Sequence, residues 1–123
     1  MKYTIEFDVN SAVCMVKVSG IHKRPEDSHE LLRIAGAFAA EHSCSRFMFD
    51  MRGATIVGDT MGAFETAVEP EKYGFSRLFR IASVYPTITE NHKFMENVGV
   101  NRGALAFRVF DDIDTAREWI VSE

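Results

Sequence analysis

The sequence holds little of what usually assigns a function at sight. Its 123 residues include two cysteines, three prolines and one tryptophan. Two cysteines, Cys14 and Cys44, are too few for the disulfide framework of a small secreted domain. Both are expected reduced and at least half-buried, in a cytoplasmic protein. No basic run exceeds Lys23–Arg24, and the formal net charge is −4. That argues against nucleic acid as a partner, because non-specific binding needs a concentrated basic face. No stretch approaches the ~20 apolar residues of a membrane span, so a membrane-embedded chain is not expected. The opening MKYTIEFDV alternates polar and apolar residues instead of forming an apolar block, which does not read as a signal peptide.

Linear catalytic motifs are missing too. There is no His-Glu-x-x-His, no Gly-x-Ser-x-Gly, no P-loop and no dinucleotide glycine pattern. His22, His29, His42 and His92 lack metal-ligand spacing, so no metal site and no cofactor are expected. Cys14 falls in mid-strand and Cys44 just before a strand, so neither has a helix N-terminus to lower its pKa. No catalytic residue is proposed, and the chain is not expected to be an enzyme.

What is present reads as fold. Hydrophobic residues make up 46% of the chain and charged residues 26%, an ordinary globular balance. The length suits one domain, residues 1–123, able to bury a core without disulfides or metals. YTIEFDV alternates strictly, with Tyr3, Ile5, Phe7 and Val9 on one face. After the polar Asn10–Ser11, AVCMVKVS alternates again, so the chain opens with a β-hairpin. RPEDSHELLRIAGAFAAEHS then changes period. Leu31, Ile34, Ala35, Phe38 and Ala39 share one helical stripe, and Pro25 suits the first turn.

Arg46 to Met51 is a short apolar run that fits a central strand covered on both faces. Asp59 is a good N-cap for a helix to about Val68, stopped by Pro70. RIASVYP is another short apolar strand. Thr87 and Glu90 fit a capping box for a helix ending near Gly99. ALAFRVF is the last strand, with Leu105, Phe107 and Val109 alternating. Asp111–Asp112 opens a final helix with Ile113, Ala116 and Ile120 on one stripe. No linker, internal repeat or low-complexity segment interrupts the chain. The order β-β-α-β-α-β-α-β-α predicts an α/β fold: a mixed five-stranded sheet with right-handed crossovers and about four helices.

Three stretches carry a family likeness: the opening hairpin, FMFDMRG in the third strand, and the ending ENVGVNRGALAFRVFDDIDTAREWI. Together they resemble the STAS family, the domain of bacterial anti-sigma-factor antagonists and of sulfate-transporter tails. The closer resemblance is to the bacterial STAS-like subgroup related to the lipid-transfer CRAL-TRIO fold. In phosphorylatable antagonists a strand leads to Asp-Ser-Ser-Gly at a helix start, and the second serine accepts phosphate. Laid on that pattern without gaps, FDMRGATIVGDTMG puts Thr60 at the acceptor, Gly58 at the aspartate and Met61 at the glycine, with Gly62 one residue later. The resemblance implies a non-enzymatic module that binds a protein partner in signalling or regulation.

The residues themselves leave other readings open. A helix N-terminus favours anions, so a phosphate on Thr60 would sit well there, while the Asp59 carboxylate beside it would repel one. The alternative reading makes Asp59 only a cap, and Gly53 and Gly58 only turn residues. Asp50 and Arg52 are expected at the carboxyl end of their strand, as a local ion pair or among the groups that meet a partner or ligand. Asn101-Arg102-Gly103 is a turn signal, with Arg102 as the candidate anion contact. Phe75 and Phe79 are expected as core under a long connection. Their alternative is a cavity for a small apolar ligand or lipid.

Overall fold

The structure is a computed structural model that describes residues 1–58, 79–101 and 106–122. Strand β1 (Lys2–Asp8) turns into β2 (Val13–Lys23), and the two pair antiparallel along the whole of β1. The Asp8 side chain accepts from the Asn10 backbone N–H at 3.0 Å, and Ala12 takes a left-handed φ of 57°, which brings the chain back. Helix α1 (Glu26–His42) follows, then β3 (Arg46–Val57), β4 (Arg80–Val84), α2 (Glu90–Asn101), β5 (Ala106–Phe110) and α3 (Ile113–Val121). The strands lie side by side in chain order, and every pair after the first is parallel. This is the mixed five-stranded sheet that the alternation predicts. Three helices lie among the described residues. The fourth expected one, Asp59 to about Val68, falls outside them.

On one face of the sheet Leu31, Ala35 and Ala39 of α1 pack with Val16 and Val18 of β2, Phe47, Phe49 and Met51 of β3, and Ile81 of β4. The opposite face is left to α3, whose Ala116 and Ile120 pack on Val13, Met48, Ala82, Val84 and Phe110. Strand β3 is therefore apolar on both faces over Phe47–Phe49, as a central strand must be. Phe47 and Met48 are fully buried, and Phe49 is 5% exposed.

Two elements differ from their expected bounds. Strand β3 continues six residues past Met51, through the stretch that reads as a loop in the sequence. Strand β2 continues with it, and the parallel pairing runs on to Lys23 and Val57. Between Lys17/Asp50 and Ser19/Gly53 the register shifts, so that Met51 and Arg52 together stand opposite Val18. This bulge breaks the period-2 pattern and brings polar residues into a strand. Gly53 is thus mid-strand and not a turn residue. A Cβ there would lie 3.2 Å from the Val18 carbonyl oxygen, so the site needs a small residue.

The second correction concerns α2, which is capped two residues later than Thr87. The Thr89 hydroxyl accepts from the His92 backbone N–H at 3.3 Å, and the Thr89 N–H donates to His92 Nδ1 at 3.1 Å. This is a reciprocal capping box with histidine in place of the usual Glu or Gln. Helix α3 opens as expected on Asp112, which accepts from the Asp114 N–H at 3.0 Å.

Candidate functional site at the carboxyl ends of the parallel strands

Asp50 sits where β4 stops: its cross-strand partner is Val84, the last residue of that strand. It lies in mid-β3, seven residues before Val57, and not at the strand's carboxyl end as the sequence suggests. Its side chain points to the α3 face and is only 6% exposed, against 43% for Arg52. Arg52 Nε and Nη2 donate to the two carboxylate oxygens at 2.8 and 2.9 Å, and the Arg52 backbone N–H adds a third bond at 3.2 Å. The fork stabilises the charged form and holds the Asp50 pKa below the ordinary carboxylate value, against the upward pull of burial. Its oxygens are satisfied, so the pair is a fixed local ion pair. It borders an open cleft of about 650 Å³, also lined by Thr4, Glu6, Lys17, Ile113 and Arg117.

The true carboxyl end of β3 is built differently. Gly58 has a φ of +123°, and a Cβ there would fall 2.4 Å from the Arg24 carbonyl oxygen. The Arg24 N–H donates to the Val57 carbonyl at 2.7 Å. Strand β3 therefore leaves the sheet pressed against the residue that follows β2, and only glycine can make that exit. From the same place the Arg24 side chain reaches across, with Nη2 3.4 Å from Tyr85 Oη. The Tyr85 ring stacks on His92 at 3.7 Å between centroids.

This end of the sheet carries the Arg24 guanidinium and two histidines kept neutral. His22 is 2% exposed, with Nε2 2.9 Å from Ser28 Oγ and Nδ1 3.3 Å from Met1 Sδ. Burial pushes its pKa down to about 4, and the Arg24 charge adds to the shift. His92 is lowered for the same two reasons. Because its Nδ1 accepts from Thr89, its proton belongs on Nε2. Burial raises the pKa of the Tyr85 phenol, so it too stays neutral. The guanidinium of Arg24 thus acts on both histidines, with the Asp27 carboxylate opposing it at His22.

Of the residues singled out in the sequence, the structure brings Asp50 and Arg52 together and sets Gly58 against Arg24. Phe79 is half-buried and packs on Phe47, 5.4 Å between ring centroids, as part of the α1-side core. Asp59, Thr60, Met61, Phe75 and Arg102 lie outside the described residues. Arg24, Tyr85 and His92 are missed by sequence reasoning. The one available signal is the Thr89-x-x-His92 spacing, which a search for Glu or Gln passes over. Both thiols are free and buried. Burial, reinforced by the neighbouring Cys44, pushes the Cys14 thiol far up, which leaves it a poor nucleophile. Among the described residues no group of three or more His, Cys, Asp or Glu side chains could hold a metal. No helix among them is long and apolar enough to cross a membrane.

No protein-family model matches the sequence, and no curated protein matches it. Solved structures do. An anti-sigma factor antagonist from Mycobacterium paratuberculosis superposes with a TM-score of 0.60 at 16% identity, over 98% of this chain and 94% of that one. The anti-sigma factor antagonist SpoIIAA in its unphosphorylated form gives 0.56 at 10% identity, over 99% and 100%. An uncharacterized Shewanella loihica protein with a SpoIIAA-like fold gives 0.57 at 16% identity, over 97% and 92%. The chain has a STAS-like fold, matched end to end.

Proposed function

We propose that this chain is a non-enzymatic regulatory module that binds a protein partner through the segment after Gly58. The observation that carries the reading is the exit of β3. A left-handed glycine packed against the Arg24 carbonyl ends β3 at the carboxyl end of a parallel strand, where α/β sheets place their working loops, and Asp59 and Thr60 follow it in the sequence. Two of the structures that share the fold are anti-sigma factor antagonists, and SpoIIAA has been solved in a phosphorylated form as well. In the gapless overlay Thr60 takes the acceptor position. The Arg24 guanidinium supplies a positive charge that would favour a phosphate nearby. Met61 and Arg102 join Thr60 as candidate partner contacts.

Native mass spectrometry of the protein freshly purified from its own cells tests the reading. A complex with a second protein, of fixed stoichiometry, is the expected result. A chain that carries a lipid instead would overturn it in favour of an apolar-ligand binder with its cavity near Phe75 and Phe79. A bare chain would also count against it.

A further inference from the structure

Strand β1 is an edge strand. It ends the sheet, and among the described residues its only strand partner is β2. All seven residues pair with β2 without a bulge. The strand contains no proline, and it leaves Tyr3 44% exposed, with Ile5 and Phe7 only half-buried. Edge strands are usually blunted by bulges, proline or charges that repel a second strand. Here the charges are placed the other way.

An antiparallel pair of identical strands has few registers to choose from. Facing residues must point to the same side of the sheet, so their numbers sum to an even value. A sum of twelve sets Glu6 against Glu6. A sum of eight pairs only five of the seven residues and leaves Asp8 out. A sum of ten pairs all seven: Lys2 with Asp8 at both ends, Tyr3 with Phe7, Thr4 with Glu6, and Ile5 with Ile5 on the two-fold axis. Opposite charges and aromatic pairs facing each other are the combinations that stabilise neighbouring strands. Asp8 is ready for this role, because hydrogen bonds from Ser11 and Asn10 hold it ionised. On the α1 side, Tyr3 of one copy would extend the ring cluster that Phe7 already forms with His42, 5.5 Å between centroids.

We infer that the partner of this edge is a second copy of the chain, joined β1 to β1 in the Ile5-centred register into a two-fold symmetric ten-stranded sheet. The inference does not rest on the function proposed above, since the β1 edge and the β3 exit are different parts of the molecule.

Sedimentation equilibrium of the purified chain tests it, with circular dichroism to confirm that each variant is folded. The parent should be a dimer at tens of micromolar. Lys2→Glu sets carboxylate against carboxylate at both ends and should weaken dimerisation roughly tenfold or more, as two reversed cross-strand pairs would. The double variant Lys2→Glu/Asp8→Lys should recover the dimer. Ile5→Cys provides a second measurement, because the introduced thiols meet on the axis and should cross-link two copies under mild oxidation. A chain that stays monomeric to about 100 µM would overturn the inference, as would a dimer indifferent to Lys2→Glu. Failure of both the double variant and the cross-link would rule out the Ile5-centred register.

Discussion

Phe47 and Asp50 lie three residues apart on β3 and are almost equally buried, at 0% and 5% exposed. They are held in unlike ways. Phe47 packs among Phe49, Phe79 and the apolar stripe of α1, where what matters is volume filled and water excluded. Asp50 faces the other side, where its two oxygens are fixed by one guanidinium fork beside an open polar cleft. Equal burial therefore predicts unequal costs. A buried aromatic loses its transfer energy and leaves a cavity. A paired carboxylate gives back much of its Coulomb gain as desolvation.

The largest effect expected is on the aromatic face. Phe49→Ala should cost about 3–5 kcal/mol in urea unfolding, as truncation of a large core aromatic does. A cost below about 1 kcal/mol would break the comparison. The next concerns His22 at the carboxyl end of β2. Its folded pKa is depressed from 6.5 to about 4, so the unfolded chain takes up its proton first as the pH falls. Stability should be fully present above pH 6.5 and decline by up to about 3 kcal/mol as the pH drops toward 4. His92 acts in the same direction. His22→Gln should flatten that slope, and an unchanged pH profile would mean the imidazole is not held neutral by burial.

Asp50→Asn keeps the shape but removes the charge that the Arg52 fork binds. It should cost about 1–2 kcal/mol, clearly less than Phe49→Ala. A gain in stability instead would show that desolvation outweighs the fork on the polar face. The smallest effect sharpens the capping assignment. Thr89→Ala should cost about 1 kcal/mol, and Thr87→Ala should stay within about 0.5 kcal/mol in thermal melts. The reverse order would restore Thr87 as the cap.

The sheet was largely legible in the sequence because burial writes its period into the chain. The alternation of Ile5 and Phe7, the stripe of Leu31, Ala35 and Ala39, and the apolar run Phe47–Phe49 each name an element and the face it buries. The second half of β3 was not legible. A bulge interrupts the alternation at Met51–Arg52, and the strand then carries Gly53 and Thr55, which read as loop. The pairing that holds it comes from β2, thirty-odd positions earlier, and no local pattern announces that. The ion pair of Asp50 and Arg52 could be expected from its spacing. The Arg24–Tyr85–His92 contact could not, because the segment after β2 and the segment after β4 meet only once the parallel strands are in register.

The central claim is that the segment pinned at Gly58 works on a partner and not on the fold. Thr60→Glu tests it most directly, read in one experiment as a thermal melt and as binding of the protein that copurifies with the parent chain. If Thr60 opens a helix as the sequence predicts, a negative charge there changes stability by only about 0.3–1 kcal/mol. The account therefore predicts a melting temperature almost unchanged and a partner released. A variant that unfolds, or one that holds the partner as tightly as the parent does, would contradict it.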